Sequence, residues 1–262
     1  MGDVVTLVMV AVVTIVIAPL IVRHGRWQSR APRFALWAWL LLFTTGLVSV
    51  GGAVLIAVGT TAGLIPHLED GHTVFDHTVL AVVAWGSLAI LGGLAVVVAV
   101  RLERLEGSAH AIRDAAERCR RVAATPSGLA PDVTITETDR VFALAVPGPN
   151  PHILVSRGLV TALTADELAA VIEHERSHLV NRHSMIVTLA EINQACVPRL
   201  AAARAFGSAL TVIVELVADD AAVRRCGASA LSAALRVLDA AGESSSAALR
   251  ADRIDRRRAL SR

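Results

Sequence analysis

His174, Glu175 and His178 stand in the order His-Glu-x-x-His. On a helix, residues i and i+4 lie one above the other, so these two imidazoles aim at one point about 2 Å from each nitrogen, as a zinc ion requires. Glu175, beside the first histidine, reaches a water at that point and takes its proton. Nine histidines and eleven glutamates scattered at random over 262 residues would produce the pattern only about 0.01 times. Thr164-Ala-Asp-Glu167 is a capping box that starts a helix through Val180, so the motif sits on the secondary structure it needs.

A catalytic zinc site takes three protein ligands and keeps one position open. A metzincin would have glycine at 181 and histidine at 184; the chain has Asn181 and Ser184, which excludes that class. A glutamate from a later helix is the other arrangement. Glu215 lies in the apolar run 210–218, where an unpaired charge is costly. Asp219 follows one turn later on the same face, placed to accept the second ring N–H of a ligand histidine. Glu191, next to Asn193 and Gln194, reads as an ordinary polar face and is the alternative ligand. His183, two and a half helical turns from His174, is expected to face away from the metal in a structural or surface role. The basic segment Arg250 to Arg258 is expected to be a solvated tail.

These residues need a scaffold, and the chain supplies two kinds. Residues 4–22, 34–65 and 78–100 are uncharged or nearly so and long enough to cross a hydrocarbon core of about 30 Å. In lipid each backbone group must be paired internally, so these runs are read as three transmembrane helices. Met1-Gly2-Asp3 has no basic residue, which argues for a retained anchor over a cleaved signal peptide. Arginines 23, 26, 30 and 33 lie in the first connection and six more between residues 101 and 121, whereas the 66–77 loop carries Glu69, Asp70 and Asp76. The positive-inside bias places the N-terminus outside and everything after Val100 in the cytoplasm. His67, His72 and His77 are read as solvated loop residues.

Residues 101–125 are read as a juxtamembrane helix with Asp114/Arg118 and Glu117/Arg121 pairs, and 126–262 as a cytoplasmic zinc peptidase domain. Short β-rich runs lie at 133–137, 141–146 and 152–156. The run Val141, Phe142, Ala143, Leu144, Ala145 and Val146 is the candidate edge strand onto which a substrate segment adds by backbone pairing. The fold class expected is a membrane α-helical region followed by an α+β, mainly helical domain with a small sheet. Hydrophobic residues make up 54% of the chain and charged residues 18%, which excludes disorder and a purely soluble protein. The net charge of +2 excludes nucleic acid as an expected partner, and three widely spaced cysteines do not form a disulfide framework.

The runs Pro151–Val160, Leu163–His178 and Glu215-x-x-x-Asp219 resemble integral-membrane gluzincin peptidases over about 130–225. They look most like the BlaR/MecR-type antirepressor peptidases, with the HtpX-like and CAAX-prenyl-protease group as the wider match. The resemblance implies one zinc ion on His174, His178 and Glu215, Glu175 as the base and Asp219 behind a ligand. It implies a membrane-anchored endopeptidase cutting a cytoplasmic or membrane-proximal protein in a signalling pathway, with a winged-helix repressor as the expected partner. No penicillin-binding domain follows the peptidase segment in this sequence, so direct β-lactam sensing is not expected. The competing readings are a zinc-bearing signalling scaffold without proteolysis and a membrane-protein quality-control protease. An intact Glu175 argues against the scaffold, and uncharged spans argue against a transport component.

Overall fold

The structure, a computed structural model, describes residues 2–23, 27–62, 130–242 and 246–260, with scattered residues between 82 and 103. Residues 78–81 and several others of the expected third span, the loop histidines, most of the expected juxtamembrane helix and Cys119 lie outside the described residues. Those described between 82 and 103 are helical. The chain divides into two compact units, Met1–Arg104 with Leu189–Leu210, and Leu105–Thr188 with Thr211–Arg262.

In the first unit, α1 (Gly2–Val12) runs through a π-helical turn (Val13–Ile17) into α2 (Ala18–Val22); α3 (Trp27–Arg30) and α4 (Pro32–Thr61) follow. Pro19 has no N–H to pair with the carbonyl four residues back, and the helix widens just before it so that Ala18 N–H donates to the carbonyl of Val13. Gly46 lets α4 approach that turn, because a Cβ there would lie 2.3 Å from Cγ1 of Ile15. Pro32 occupies the first turn of α4, where a missing N–H has no helical partner to lose. Trp39 and Phe43 pack on Phe206, the latter stacked at 4.8 Å.

Asp3–Val22 and Pro32–Thr60 are long and apolar enough to cross a membrane, and only 11% and 22% of their most apolar stretches are buried. Phe34, Trp37, Leu41, Val48 and Leu55 are each more than 60% exposed, a surface that calls for lipid rather than water. A third such helix, Ala201–Cys226, differs: 67% of its apolar stretch is buried within the protein. Its hydrophobicity is that of a core helix.

In the second unit the sheet has the order β1-β3-β2, with β1 (Val133–Thr136) parallel and β2 (Ala143–Val146) antiparallel to the central β3 (His152–Ser156). β2 begins two residues later than the sequence run predicts. Phe142 already pairs with Ser156, its N–H donating to the Ser156 hydroxyl and its carbonyl accepting from Ser156 N–H. The helices α5 (Arg157–Ala162), α6 (Ala165–Val180), α9 (Ala228–Ala240) and α10 (Ala247–Leu260) belong to this unit, while α7 (His183–Cys196) and α8 (Ala201–Cys226) are divided between the two units, after Thr188 and after Leu210.

Period-two alternation in β3 sorts its side chains: Ile153 and Val155 join Leu159, Leu168, Val171 and Ile172 in the main core, while Leu154 meets Val146 on the other face. Ser156 caps α5 by accepting from Leu159 N–H, and the Thr164–Glu167 capping box opens α6 with both of its hydrogen bonds formed. A second core layer joins Ala170 of α6 and Ala222 of α8 to Leu231, Leu235, Ala247, Ala251 and Ile254. The face of α6 left between these layers carries the histidines.

Candidate metal centre

His174 and His178 project from α6 and Glu215 from α8, all within the second unit. The Nε2 atoms of the two histidines are 3.2 Å apart, and each is 3.5 Å from a Glu215 carboxylate oxygen. Ligand atoms about 2.0–2.1 Å from a tetrahedral ion stand roughly 3.3 to 3.4 Å apart. The nitrogens face the two oxygens of one carboxylate, Nε2 of His174 toward Oε2 and Nε2 of His178 toward Oε1 of Glu215, at distances close to those between ligands of one ion, and the nitrogen and oxygen donors suit zinc. Glu191 is exposed on α7 and is not in this group.

Behind the ligands, Oδ1 of fully buried Asp219 lies 3.1 Å from Nδ1 of His174, the contact that the spacing from Glu215 predicts. Arg250 approaches from α10. Its Nε and Nη2 bond both oxygens of Asp219 at 2.9 and 2.5 Å, its Nη1 lies 2.8 Å from Glu215, and its Nη2 is 3.3 Å from the His174 ring nitrogens. The expected solvated tail is thus a packed helix. Ala247, Ala251 and Ile254 form its buried stripe, Arg253 and Arg257 bond Asp220, and Arg236 bonds Asp252 and Asp255. The signal was available in the sequence: Arg250 shares the face of that apolar i, i+4, i+7 stripe, where a charged side chain needs a buried partner.

His183 also departs from expectation. Extrapolating one helix from His174 turned it away, but α6 stops at Asn181 and Arg182 takes a left-handed conformation (φ +50°), so α7 starts in a new direction. His183 is 1% exposed, and its Nδ1 lies 3.1 Å from Nδ1 of His178.

Glu175 points the opposite way, toward the sheet. Ala145 N–H donates to its Oε2 at 2.8 Å. Because Phe142 exchanges backbone contacts with Ser156, the alternate residues of β2, Ala143 and Ala145, turn their backbone groups to the open edge. The candidate general base and the sheet's free edge thus share one hydrogen bond.

Burial pushes the Glu175 carboxyl up, against the pull of His174 and the Ala145 N–H. His174 is opposed by burial but carried up to about 9 by its hydrogen bonds to Asp219 and Glu215. Burial, and then the charge of His174, brings His178 down to about 4. Without metal, His174 is therefore an imidazolium near neutral pH and His178 is neutral.

Residues 106–232, just under half of the chain, match the profile of peptidase family M48. That segment holds His174, Glu175, His178, Glu215 and Asp219, and Arg250 lies beyond it. A protease HtpX homologue of Thermococcus sibiricus is 44% identical over 57 residues, 22% of this chain and 20% of that protein. One of Gemmatimonas aurantiaca is 38% identical over 74 residues, 27% of this chain and 26% of that protein. The chloroplastic plastoglobule-localized metallopeptidase 48 of Arabidopsis thaliana is 37% identical over 65 residues, 24% of this chain and 19% of that protein. The chain thus spans about a fifth to a quarter of the length of these curated relatives. No solved structure gives a significant match. The segment that carries the metal-centre residues is thus similar to peptidases of family M48.

Proposed function

We propose that this chain is a membrane-anchored zinc endopeptidase, with His174, His178 and Glu215 as metal ligands, Glu175 as the general base and Asp219 fixing the ring of His174. The observation that carries the reading is the convergence of two imidazole nitrogens and the Glu215 carboxylate beside the half-buried carboxylate of Glu175 and an open strand edge. When bound, zinc supplies Lewis-acid polarisation of a carbonyl and makes water a nucleophile near neutral pH.

The chain's own residues do the rest. Asp219 accepts the Nδ1 proton of His174 and leaves Nε2 free to ligate. Arg250 balances fully buried Asp219, which would otherwise be costly, and also pairs with part-exposed Glu215. Glu175, with its proton affinity raised by burial, is suited to take a proton from water and return it to a leaving amine. A substrate segment adding to β2 would accept from Ala145 N–H and so release the Glu175 carboxylate from that contact. The substrate in this reading is a cytoplasmic or membrane-proximal protein, a winged-helix repressor being the expected case. The peptidase half is cytoplasmic in this reading, which the arginine-rich flanks support.

Two variants of the full chain in detergent test this. Glu215→Ala should abolish bound zinc by elemental analysis. Glu175→Gln should keep zinc but reduce peptide cleavage by about 10²- to 10⁴-fold. Unchanged zinc in the first would sink the ligand assignment. Undiminished cleavage in the second would sink the assignment of the base.

A further inference from the structure

Each ligand histidine has a second ring nitrogen, and the two rings are held by different chemistry. Nδ1 of His174 faces the carboxylate of Asp219. Nδ1 of His178 faces another imidazole, that of His183, at 3.1 Å and with the rings edge-on at 85°. We infer that His183 is a positioning residue that sets the tautomer of His178, accepting its Nδ1–H so that Nε2 is presented to a divalent metal. This rests on the zinc reading of His174, His178 and Glu215.

The argument begins with proton inventory. A neutral imidazole donates from one nitrogen and accepts at the other, so a His178 that ligates through Nε2 carries its proton on Nδ1. The acceptor in hydrogen-bond reach of that proton is Nδ1 of His183. His183 then carries its own proton on Nε2, which is buried with no hydrogen-bond partner among the described residues. An orphaned buried N–H is rarely tolerated, and here the acceptor role on the other side of the ring explains it.

Charge explains why this position holds a histidine and not a second aspartate. A divalent ion, the carboxylates of Glu215, Asp219 and Glu175, and the Arg250 guanidinium together are neutral. A fourth carboxylate would leave a net negative charge in a buried site, whereas a neutral imidazole accepts the same hydrogen bond without one. The backbone is shaped for it. Asn181 closes α6 by donating to the carbonyl and hydroxyl of Ser177, and left-handed Arg182 swings the chain so that the first residue of α7 comes back over His178.

The test measures zinc affinity of the full chain in detergent by competition with a chromophoric chelator, for wild type, His183→Leu and His183→Asn. Leucine fills the space without an acceptor; asparagine restores one through its amide oxygen. His183→Leu should weaken zinc binding by about 10- to 100-fold, the usual effect of losing a partner behind a ligand, and His183→Asn should stay close to wild type. Wild-type affinity in His183→Leu, or equal weakening in both variants, would overturn the inference in favour of a packing role. Should neither variant fold, ¹⁵N spectra of the histidine-labelled, zinc-loaded wild type decide: the proton of His183 should be on Nε2, and a proton on Nδ1 would overturn the inference. A wild-type chain that takes up no stoichiometric zinc would overturn the zinc reading and this inference with it.

Discussion

Zinc and a proton compete for His174, and the structure sets the size of the contest. With its hydrogen bonds to Asp219 and Glu215, the metal-free ring titrates at about 9, yet a ligand imidazole must be neutral. At pH 6 the ring is three units below that value, so about 4 kcal/mol, or a factor of roughly 1,000 in apparent affinity, is expended in removing the proton. His178, at about 4, is already neutral there and adds nothing. Apparent zinc affinity should therefore rise about tenfold per pH unit from 5.5 to 8. Calorimetry at pH 6 in buffers of differing ionisation enthalpy should count one proton released, at a pH below the range where water on zinc ionises. Asp219→Asn sharpens the test. It removes a hydrogen bond that holds the His174 proton, and also the partner that orients the ring. The variant should bind zinc about 10- to 100-fold more weakly at high pH, with the gap narrowing as pH falls. A flat wild-type profile, no proton released at pH 6, or parallel curves for the two proteins would refute the reasoning.

Other outcomes follow from the same contacts. Gly158 donates its N–H to the Thr138 carbonyl, and a Cβ there would stand 2.3 Å from the Asp139 carbonyl oxygen. Gly158→Ala should therefore lower stability by about 1–3 kcal/mol, read as a fall in melting temperature, and an unchanged value would mean no such close approach. In the metal-free chain, the raised His174 contributes stability that is complete below pH 6.5 and lost as pH climbs through 9. The lowered His178 contributes stability lost as pH falls from 6.5 through 4. Thermal melts of the chelated protein should peak near pH 6.5, and a monotonic trend across that range would contradict the two assignments. Reporter fusions after residues 70 and 130 should report external and cytoplasmic positions respectively; both on one side would refute the three-span reading.

The histidine pair, its helix and the capping box were legible because each rests on local spacing along one element. Glu215 and Asp219 were legible for a different reason: carboxylates inside an apolar helix must have partners, even when the sequence does not say which. The strand edge was legible as a run of β-formers, but its start was set by Ser156, whose hydroxyl and N–H engage Phe142 across the sheet. The position of His183 is not legible from helical periodicity, because one left-handed residue at Arg182 ends the helix that the periodicity extends. The charge of the tail as a whole reads as solvated, whereas the place of Arg250 beside the buried stripe of α10 turns it inward.

That α10 supplies Arg250 also gives the centre an order of assembly. Ribosomes work from the N-terminus at about 5–20 residues per second, so residue 250 is made roughly 2–6 s after residue 219. During that interval the nascent chain already holds both histidines, Glu215 and Asp219, but not the guanidinium that neutralises the two carboxylates. The centre cannot settle into its final electrostatic balance until synthesis has passed the last helix, which separates the making of this hydrolytic machinery in time from its completion.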